Sequence, residues 1–413
     1  MPKRRWTFLM RAQDHMFLKR TRTLIQIWLT ESGVVLFCIL FVGSSIASPG
    51  TFISAYFLPC FLFAILSTAL VMSTYHRPQL EIKRMPYHSP CAGEHLVYRI
   101  KVKNTGTKAV KHIALIEGLL PYGLYSEPFH PEYQNTIDFL FPGEEKTVQL
   151  VMECKFRGIY ELPMFYAGSG YPHNLIRWPI KVGAKHRLVV YPQFESQTNV
   201  QLNFRRVYQP GGIAVSSNVG NTNEFLNTRE FRQGDRLRDI HWPSYARKGE
   251  LIVKDYVDEY FVRIGIILDT QLDHNDSQEI FEKRISIAAG IADAVTKKEY
   301  IIDLLTTGEH LHHFQAGRAL GYIDNLLEIL AAIDETDHLD FLKLQVKLKP
   351  YLRALSSVII ILGGFDERRS QFCKFLQSTG VQAKILVVSD QDFKMDHPQP
   401  VTLITSKDTP LIQ

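Results

Sequence analysis

The sequence predicts a multi-domain α+β protein with an N-terminal two-helix transmembrane hairpin, an immunoglobulin-like antiparallel β-sandwich and a doubly wound α/β domain. Three observations predict it: two long uncharged apolar runs near the N-terminus, a series of short alternating segments with turn residues between them, and a C-terminal alternation of continuous apolar runs with helical patterns. With 413 residues, 46% of them hydrophobic and 22% charged, the chain can bury the cores of two or three domains.

Two apolar runs predict the membrane hairpin, which we place at residues 27–75. Residues 32–48 and 52–74 contain no charged side chain, and only a short Ser-Pro-Gly-Thr turn separates them. A helix of about 20 residues crosses the hydrocarbon core, and the first run reaches that length only with its flanking residues. The alternative is a cleaved signal peptide followed by one span. The long basic region before the first run and the missing Ala-x-Ala site disfavour that alternative.

Basic side chains flank the hairpin and predict its orientation. The predicted N-terminal tail, residues 1–26, holds seven of them: Lys3, Arg4, Arg5, Arg11, Lys19, Arg20 and Arg22. Further cations follow the second run, whereas the turn has none. Positive flanks stay on the cytoplasmic side of a membrane, so both chain ends are predicted to be cytoplasmic. Such a tail also attracts anionic lipid, although topology alone explains it.

Charge and cysteine content exclude several classes of function. The formal net charge is +5, and residues 1–23 alone contribute +6, so the rest of the chain is close to neutral. This distribution argues against a broadly basic nucleic-acid-binding body, and we expect no nucleic-acid partner. The five cysteines are scattered and form no Cys-x-x-Cys pair, which argues against a disulfide framework and a structural zinc site.

Residues 76–200 have the pattern of a β-sandwich. In residues 95–104 the apolar side chains Leu96, Tyr98, Ile100 and Val102 fall on one face of a strand. Turn signals such as Asn-Thr-Gly and Pro-Gly-Glu separate this segment from further short strands. Several short strands of this kind, with little helical periodicity between them, are typical of an antiparallel sandwich.

Residues 261–392 have a different pattern, in which strands are apolar throughout. Residues 263–268 and 358–362 are continuous apolar runs, and residues 278–298 repeat apolar side chains at helical spacing. Continuous rather than alternating strands indicate a parallel sheet that is covered on both faces. Residues 393–413 show no clear pattern and are predicted to be a tail.

A segment rich in arginine, residues 201–260, joins the two predicted domains. Its central part interleaves guanidinium and carboxylate groups, which are Arg229, Arg232, Arg236, Arg238 and Arg247 with Glu230, Asp235, Asp239, Glu250 and Asp255. Two interpretations stay open. The charges form an internal network that holds the segment in place, or the planar arginine side chains dock an acidic partner or a phosphate.

This segment closely resembles the signature of the DUF58 family, in which Arg-x-Tyr/Phe-x-x-Gly-Asp-x-x-Arg-x-Ile-x-Trp leads into Ala-Arg-x-Gly-x-Leu. The matching residues are Arg229, Phe231, Gly234, Asp235, Arg238, Ile240, Trp242, Ala246, Arg247, Gly249 and Leu251. The resemblance extends to the hairpin, to a Lys-Phe-Arg-Gly-x-Tyr strand at residues 155–160 and to Val-Tyr-Pro at residues 190–192. Residues 171–175 read Tyr-Pro-His-Asn-Leu where family members usually have Asp-Pro-Phe-Gly-Leu. The resemblance covers most of the chain.

The resemblance implies a protein of the bacterial inner membrane whose C-terminal part is similar to a von Willebrand factor A domain. Members of the family are typically encoded beside AAA+ ATPases of the MoxR type and transglutaminase-like membrane proteins. Both are therefore expected partners, and an assembly or chaperone-like role with the ATPase is the usual inference. No established enzymatic activity comes with the resemblance.

A metal site is the main chemical alternative. A von Willebrand-type site uses Asp-x-Ser-x-Ser after the first strand, because hard oxygen ligands suit Mg²⁺. This chain keeps Asp269 but has Gln271 and Asp273 where the serines should be, and Asp366 is a remote third carboxylate. Because two positions depart from the motif, we expect no bound cofactor, with Mg²⁺ at Asp269, Asp273 and Asp366 as the alternative. His310, His312 and His313 fit an exposed hairpin strand better than a ligand set.

We therefore expect a non-enzymatic scaffold or adaptor that works with a MoxR-type ATPase in the assembly or maturation of protein complexes. The residues expected to bind a partner or to maintain the signature are Arg229, Gly234, Asp235, Arg238, Trp242, Arg247 and Gly249. The alternative function is a metal-dependent hydrolase that uses the three aspartates. We expect no catalytic residues outside that alternative.

Overall fold

The computed structural model describes residues 21, 23–46, 56–127, 130–195, 225–233, 235, 237, 240–256, 263–273, 277–298, 300–307, 312–316, 322–336, 341–352, 355–389 and 401–404. The chain divides into two compact units. One comprises Met1–Gln193 and Leu327–Ala332, and the other comprises Phe194–Leu326 and Ile333–Gln413. The protein is a mixed α+β structure with several β-sheets, as the sequence predicts.

After helical residues 23–28, the first unit continues with two apolar helices that contact each other: α1 (Glu31–Ile46) and α2 (Phe57–Tyr75). Large apolar side chains point outward from both, including Phe41 at 68% exposure and Phe63 at 65%. Only α2, among the helices that the structure describes, is long and apolar enough to cross a membrane by length and composition. The 16 residues of α1 extend over about 24 Å, less than a hydrocarbon core of about 30 Å. Most of the basic tail, residues 1–20, lies outside the described residues.

The strands that follow form two four-stranded antiparallel sheets and a two-stranded ribbon. The first sheet has the order β1-β2-β6-β4 and contains β1 (Leu80–Arg84), β2 (Glu94–Asn104), β4 (Leu124–Ser126) and β6 (Glu145–Cys154). The second has the order β5-β3-β8-β9 and contains β3 (Val110–Glu117), β5 (Thr136–Leu140), β8 (Phe165–Ser169) and β9 (Ile180–Val182). The ribbon pairs β7 (Gly158–Leu162) with β10 (His186–Val190).

Both sheets contribute to one hydrophobic core, which makes this part of the chain a β-sandwich. Leu96, Tyr98, Ile100 and Val102 of β2 are all buried, while the residues between them face outward. Leu115 of β3 and Leu150 of β6, from opposite sheets, belong to the same cluster. The predicted antiparallel sandwich is therefore confirmed, because alternation with period two records which face of a strand is buried.

The second unit begins with a small antiparallel ribbon that encloses a short helix. Strand β11 (Phe225–Glu230) pairs with β12 (Ile252–Tyr256), and helix α3 (Trp242–Lys248) lies between them in the chain. The part of the arginine-rich segment before Phe225, residues 201–224, lies outside the described residues.

A six-stranded sheet with the order β15-β14-β13-β16-β17-β18 forms the rest of the second unit. The elements of this part of the chain, in order, are β13 (Arg263–Asp269), α4 (Gln278–Lys297), β14 (Ile301–Thr307), β15 (His312–Ala316), α5 (Tyr322–Ala332), α6 (Phe341–Leu352), β16 (Ser357–Leu362), α7 (Glu367–Ser378), β17 (Gln382–Val388) and β18 (Val401–Ile404). Of these, the end of α5, Leu327–Ala332, belongs to the first unit. All neighbours are parallel except β14 and β15, which form a hairpin. Every residue of β16 is buried, as expected of a strand covered on both faces.

The predicted tail at residues 393–413 is wrong in one respect. Residues 401–404 form β18, which pairs in parallel with β17 at the edge of the sheet. Val-Thr-Leu-Ile neither alternates strictly nor is apolar throughout, so it gives no clear strand signal. The strand forms by pairing with β17.

Candidate functional site

The signature segment folds as a loop that leaves the ribbon and returns to it through α3. The amide of Phe231 donates to the carbonyl of Leu251 at 2.9 Å, and the amide of His241 donates to Ile252 at 2.8 Å. Gly249 ends α3 in the left-handed region at φ 73°, and its amide donates to the carbonyl of Tyr245 at 2.8 Å. A residue with a side chain is strained at that φ, which explains why glycine stands at this position of the signature.

An ion pair between two signature residues closes the loop. The two guanidinium amino groups of Arg229 donate to the two carboxylate oxygens of Asp235 at 2.7 and 2.8 Å, a bidentate geometry. Asp235 also accepts from the amide of Arg232 at 2.7 Å. The hydrogen bond from Arg229 is the largest cause that lowers the pKa of Asp235, to about 2. The structure thus brings Arg229 and Asp235 together as internal architecture.

The other signature residues are either exposed or not described. Gly234 and Arg238 lie outside the described residues. Trp242 is 60% exposed, and its ring meets the ring of Tyr245 edge-on at 6.0 Å. Arg247 is exposed as well, and no side chain of α3 is buried. We call Trp242, Tyr245 and Arg247 the α3 surface.

A second cluster lies where β13 and β16 end at the carboxyl edge of the sheet. Asp269 ends β13, Asp273 follows in the next loop, and Asp366 caps α7 by accepting from the amide of Arg369 at 2.8 Å. All three carboxylates face the side chain of Arg369. Its Nε donates to Asp269 at 2.8 Å, and its Nη1 donates to Asp273 at 2.8 Å and lies 3.7 Å from Asp366.

Backbone groups and a second arginine complete the cluster. Asp269 also accepts from the amides of Gln271 at 3.0 Å and Gly363 at 3.2 Å. Arg284 of α4 is fully buried and donates through Nη1 to the carbonyls of Asp269 and Gln271 at 3.2 and 2.7 Å. A Cβ on Gly363 would lie 2.3 Å from Nη1 of Arg284, so only glycine leaves room for this guanidinium.

The three aspartates converge, as the metal hypothesis requires, but the donor set does not fit a divalent cation. Asp269 and Arg369 each have 1% side-chain exposure, and the guanidinium already uses the carboxylate oxygens that a cation would need at about 2.1 Å. A cation placed there would also stand beside a buried positive charge. Within the described ranges, no group of three or more His, Cys, Asp or Glu side chains is arranged to hold a metal.

Two arginines of this cluster are functional candidates that sequence reasoning missed. Arg284 lies four residues from both Ile280 and Ala288, on the buried face of α4. Arg369 lies three and four residues before Phe372 and Cys373, on the buried face of α7. Their only trace in the sequence is an arginine at helical spacing from apolar residues, and this trace does not show which face of the helix is buried. Of the histidines considered as ligands, His312 and His313 lie in β15 of the predicted hairpin, and His310 lies outside the described residues.

Comparison with known proteins finds a distant relative of the chain but assigns no family. No family model matches it. It is 22% identical over 360 residues to a Bacillus subtilis (strain 168) protein described as uncharacterized protein YeaD, an alignment that covers 86% of this chain and 87% of that protein.

Two solved structures resemble part of the chain. The CARDB domain of the PF1109 protein from Pyrococcus furiosus is 18% identical over 28% of this chain and 94% of that one, with a TM-score of 0.18. Native Escherichia coli alpha-2-macroglobulin is 14% identical over 29% of this chain and 7% of that one, with a TM-score of 0.21. The assignment of the sandwich rests on its own strand pairing and common core.

Proposed function

We propose that this protein is a membrane-anchored scaffold or adaptor of the DUF58 type that docks a MoxR-type AAA+ ATPase on its α3 surface. The observation that carries the proposal is the exposure of Trp242, at 60%, in a segment otherwise held by an internal ion pair. A large aromatic side chain kept in water by its own fold is typical of a binding surface. A transglutaminase-like membrane protein is the second expected partner.

Different residues of the signature segment maintain its structure and form its proposed binding surface. The bidentate pair of Arg229 with Asp235 holds the loop, whereas the aromatic pair on α3 and the guanidinium of Arg247 face outward. Tryptophan, tyrosine and arginine are the residues in which binding energy concentrates at protein interfaces. Both interpretations of the arginine-rich segment therefore apply, each to different residues.

The membrane anchor is the hairpin of α1 and α2. It is supported by the length and composition of α2, by the contact between the two helices and by their outward-facing apolar side chains. The basic residues before α1 favour cytoplasmic termini, so the sandwich and the von Willebrand-like α/β domain are proposed to face the cytoplasm of a bacterium.

The aspartate cluster supports a scaffold better than a hydrolase. A hydrolytic metal site needs an open coordination position for water or substrate, whereas Arg369 links all three carboxylates from inside the domain. We propose that this arginine takes the structural place that a metal ion has in von Willebrand-type sites.

The proposal is tested by affinity purification of the full-length protein from its native membrane in detergent, with and without ATP. Wild type is expected to recover an AAA+ ATPase, and Trp242→Ala to reduce the recovery about thirtyfold, since a hot-spot side chain contributes about 2 kcal/mol. Arg247→Ala is expected to reduce it as well. Leu342→Ala and Lys347→Ala, at exposed positions on α6, are matched controls. Undiminished recovery by the folded α3 variants would contradict the proposal.

A further inference from the structure

We infer that one end of the β-sandwich lies directly on an anionic phospholipid surface, in addition to the hairpin that anchors it. We call this end, with Lys111, Phe139, Phe141, Tyr171 and Trp178, the lipid-facing end. The inference rests on the proposed membrane anchor, and it adds a site of lipid contact outside the hairpin. It follows from contacts within the first unit between the sandwich and the ends of α1 and α2.

A loop of the sandwich, residues 170–178, is bonded to the start of α1. The amide of Thr30 donates to the carbonyl of Leu175 at 3.0 Å, and its hydroxyl donates to the carbonyl of Asn174 at 2.6 Å. The amide of Arg177 donates to Trp28 at 2.8 Å. Two of these hydrogen bonds join backbone groups and the third comes from the Thr30 hydroxyl, so the loop and the start of the helix are held in one arrangement.

The approach of this loop to α1 is close. The hydroxyl of Thr30 also accepts from the amide of Gly33 at 3.0 Å, which caps the helix. A Cβ on Gly33 would lie 2.0 Å from the carbonyl oxygen of Leu175. The helix can therefore enter the membrane only from the immediate vicinity of the loop.

The same loop contacts the end of α2. The ring of Tyr171 lies 5.1 Å from the ring of His76, and the guanidinium of Arg77 lies 4.4 Å above the ring of Trp178. Trp178 also meets Trp28 edge-on at 5.5 Å. Because α1 begins and α2 ends at this loop, the loop lies at the boundary where the hairpin leaves the hydrocarbon. Tryptophan and tyrosine are favoured at that depth.

Exposed aromatic side chains extend this boundary across the end of the second sheet. Phe139 is 44% exposed and Phe141 is 60% exposed. Strand β5 ends beside the start of β3, where Lys111 pairs with Phe139, and the hydroxyl of Ser169 donates to the carbonyl of Lys111 at 2.6 Å. These contacts place both phenylalanines at the same end of the sandwich as the loop.

The cations at this end fit an anionic lipid, and the carboxylate of Glu144, which accepts from the amide of Phe141, is paired with Lys146 at 3.5 Å. The ammonium of Lys111 lies 5.0 Å from the ring centre of Tyr171 and 5.4 Å from that of Phe139, and Arg77 lies over Trp178. Cations among interfacial aromatic rings are the arrangement that binds phosphate headgroups above buried acyl chains. We commit to a bilayer rather than a protein as the occupant, because the surface is continuous with the ends of the membrane helices.

Site-specific photo-cross-linking of the full-length protein in lipid nanodiscs tests the inference. The discs contain phosphatidylcholine and phosphatidylglycerol, and p-benzoylphenylalanine replaces one residue at a time. Phe141 is the test position. Leu119 is the matched control, since it is an apolar residue with 42% exposure beyond the opposite end of β3, about 25 Å away. Phe63, 65% exposed on α2, reports the anchor itself.

Lipid adducts are expected at positions 63 and 141 and not at position 119. In the same discs, Lys111→Gln is expected to lower the phosphatidylglycerol adduct at position 141 about fivefold and to leave the phosphatidylcholine adduct unchanged. An adduct at position 63 without one at position 141 would overturn the inference and leave the anchor intact. Absence of an adduct at position 63 would overturn the anchor. Cross-linking of position 141 to protein alone in native membranes would identify the end as a protein interface instead.

Discussion

The guanidinium of Arg369 supplies a fixed positive charge where three carboxylates meet. Burial lowers the pKa of Arg369, but Asp269 and Asp273 raise it further, so that it lies above the ordinary value and the side chain stays charged. Asp269 is as buried as the arginine, at 1% side-chain exposure, and needs this partner. A buried charge without its counter-charge is strongly destabilising.

Removal of this charge is expected to destabilise the α/β domain. Arg369→Met keeps an apolar side chain of similar length but leaves Asp269 unpaired, so the free energy of unfolding should fall by about 3–5 kcal/mol. Denaturant unfolding of the full-length protein in detergent measures the change. Arg368→Met is the matched control, because Arg368 is 60% exposed and pairs only at the surface with Asp366.

The same measurement distinguishes an internal cation from a metal site. A ligand that binds only the folded protein raises its stability with concentration, and Mg²⁺ is not expected to do so for wild type. Equal stability of Arg369→Met and wild type, or a rise in the wild-type melting temperature with millimolar Mg²⁺, would contradict the structural role of this arginine.

The aspartates of this cluster could be predicted from the sequence, but their partner could not. Asp269 and Asp366 follow continuous apolar strands, and the ends of adjacent parallel strands meet at one edge of a sheet. Arg369 reaches that edge from inside α7, and its role depends on which face of the helix packs against the sheet. Tertiary packing decides which face of α7 is buried, and a single charged residue in a weakly amphipathic helix does not indicate that face.

At the level of elements, a buried polar cluster ties the two sheets of the sandwich together. The hydroxyl of Tyr98 on β2 donates to the carboxyl group of Glu117 on β3. Arg84 on β1 lies 3.9 Å from the same carboxyl group and donates to the carbonyl of Pro163 at 2.6 Å. Strands from both sheets thus meet at one carboxyl group inside the core.

The carboxyl group of Glu117 makes stability depend on pH. Burial raises its pKa from 4.5 to about 6, although Tyr98 and Arg84 act in the opposite direction. The folded protein therefore binds a proton more readily than the unfolded chain between these values, so this contribution to stability is present below pH 4.5 and is lost as the pH rises through 6. The loss is about 2 kcal/mol for a shift of this size.

Substitution by glutamine isolates the effect of this one group. In Glu117→Gln the side chain cannot ionise and still accepts from Tyr98, so the difference in unfolding free energy between variant and wild type should change between pH 4.5 and pH 7. Glu161→Gln, at an exposed carboxylate paired with Lys185, is the matched control and should show little change. Parallel stability curves for Glu117→Gln and wild type would show that Glu117 has an ordinary pKa.

Strands could be predicted where burial left a pattern in the sequence. Strand β2 alternates because one face is buried, and β16 is apolar throughout because both faces are covered. Strand β18 has no such signal, since Val-Thr-Leu-Ile neither alternates strictly nor is apolar throughout. The exposure of Trp242 on α3 could not be predicted either, because it depends on which elements of the fold cover that helix.

At the level of the whole molecule, composition separates an apolar helical part near the N-terminus from folded domains of ordinary polarity. Helix α2 could be predicted as a candidate membrane span, because a helix that crosses the hydrocarbon core needs about 20 apolar residues in a row. The hydrogen bonds from the Thr30 hydroxyl to the loop at residues 170–178 could not be predicted, since they join segments about 145 residues apart and end on backbone carbonyls. Sequence composition carries no record of such contacts.

The most direct test of the scaffold function is cross-linking in cells from the α3 surface. The full-length protein carries p-benzoylphenylalanine in place of Tyr245, and position 342 on α6, 70% exposed in wild type, is the control. We expect irradiation to join position 245, but not position 342, to an AAA+ ATPase identified by mass spectrometry. If position 245 forms no adduct with an ATPase while the protein is folded and present in the membrane, α3 is not the docking surface.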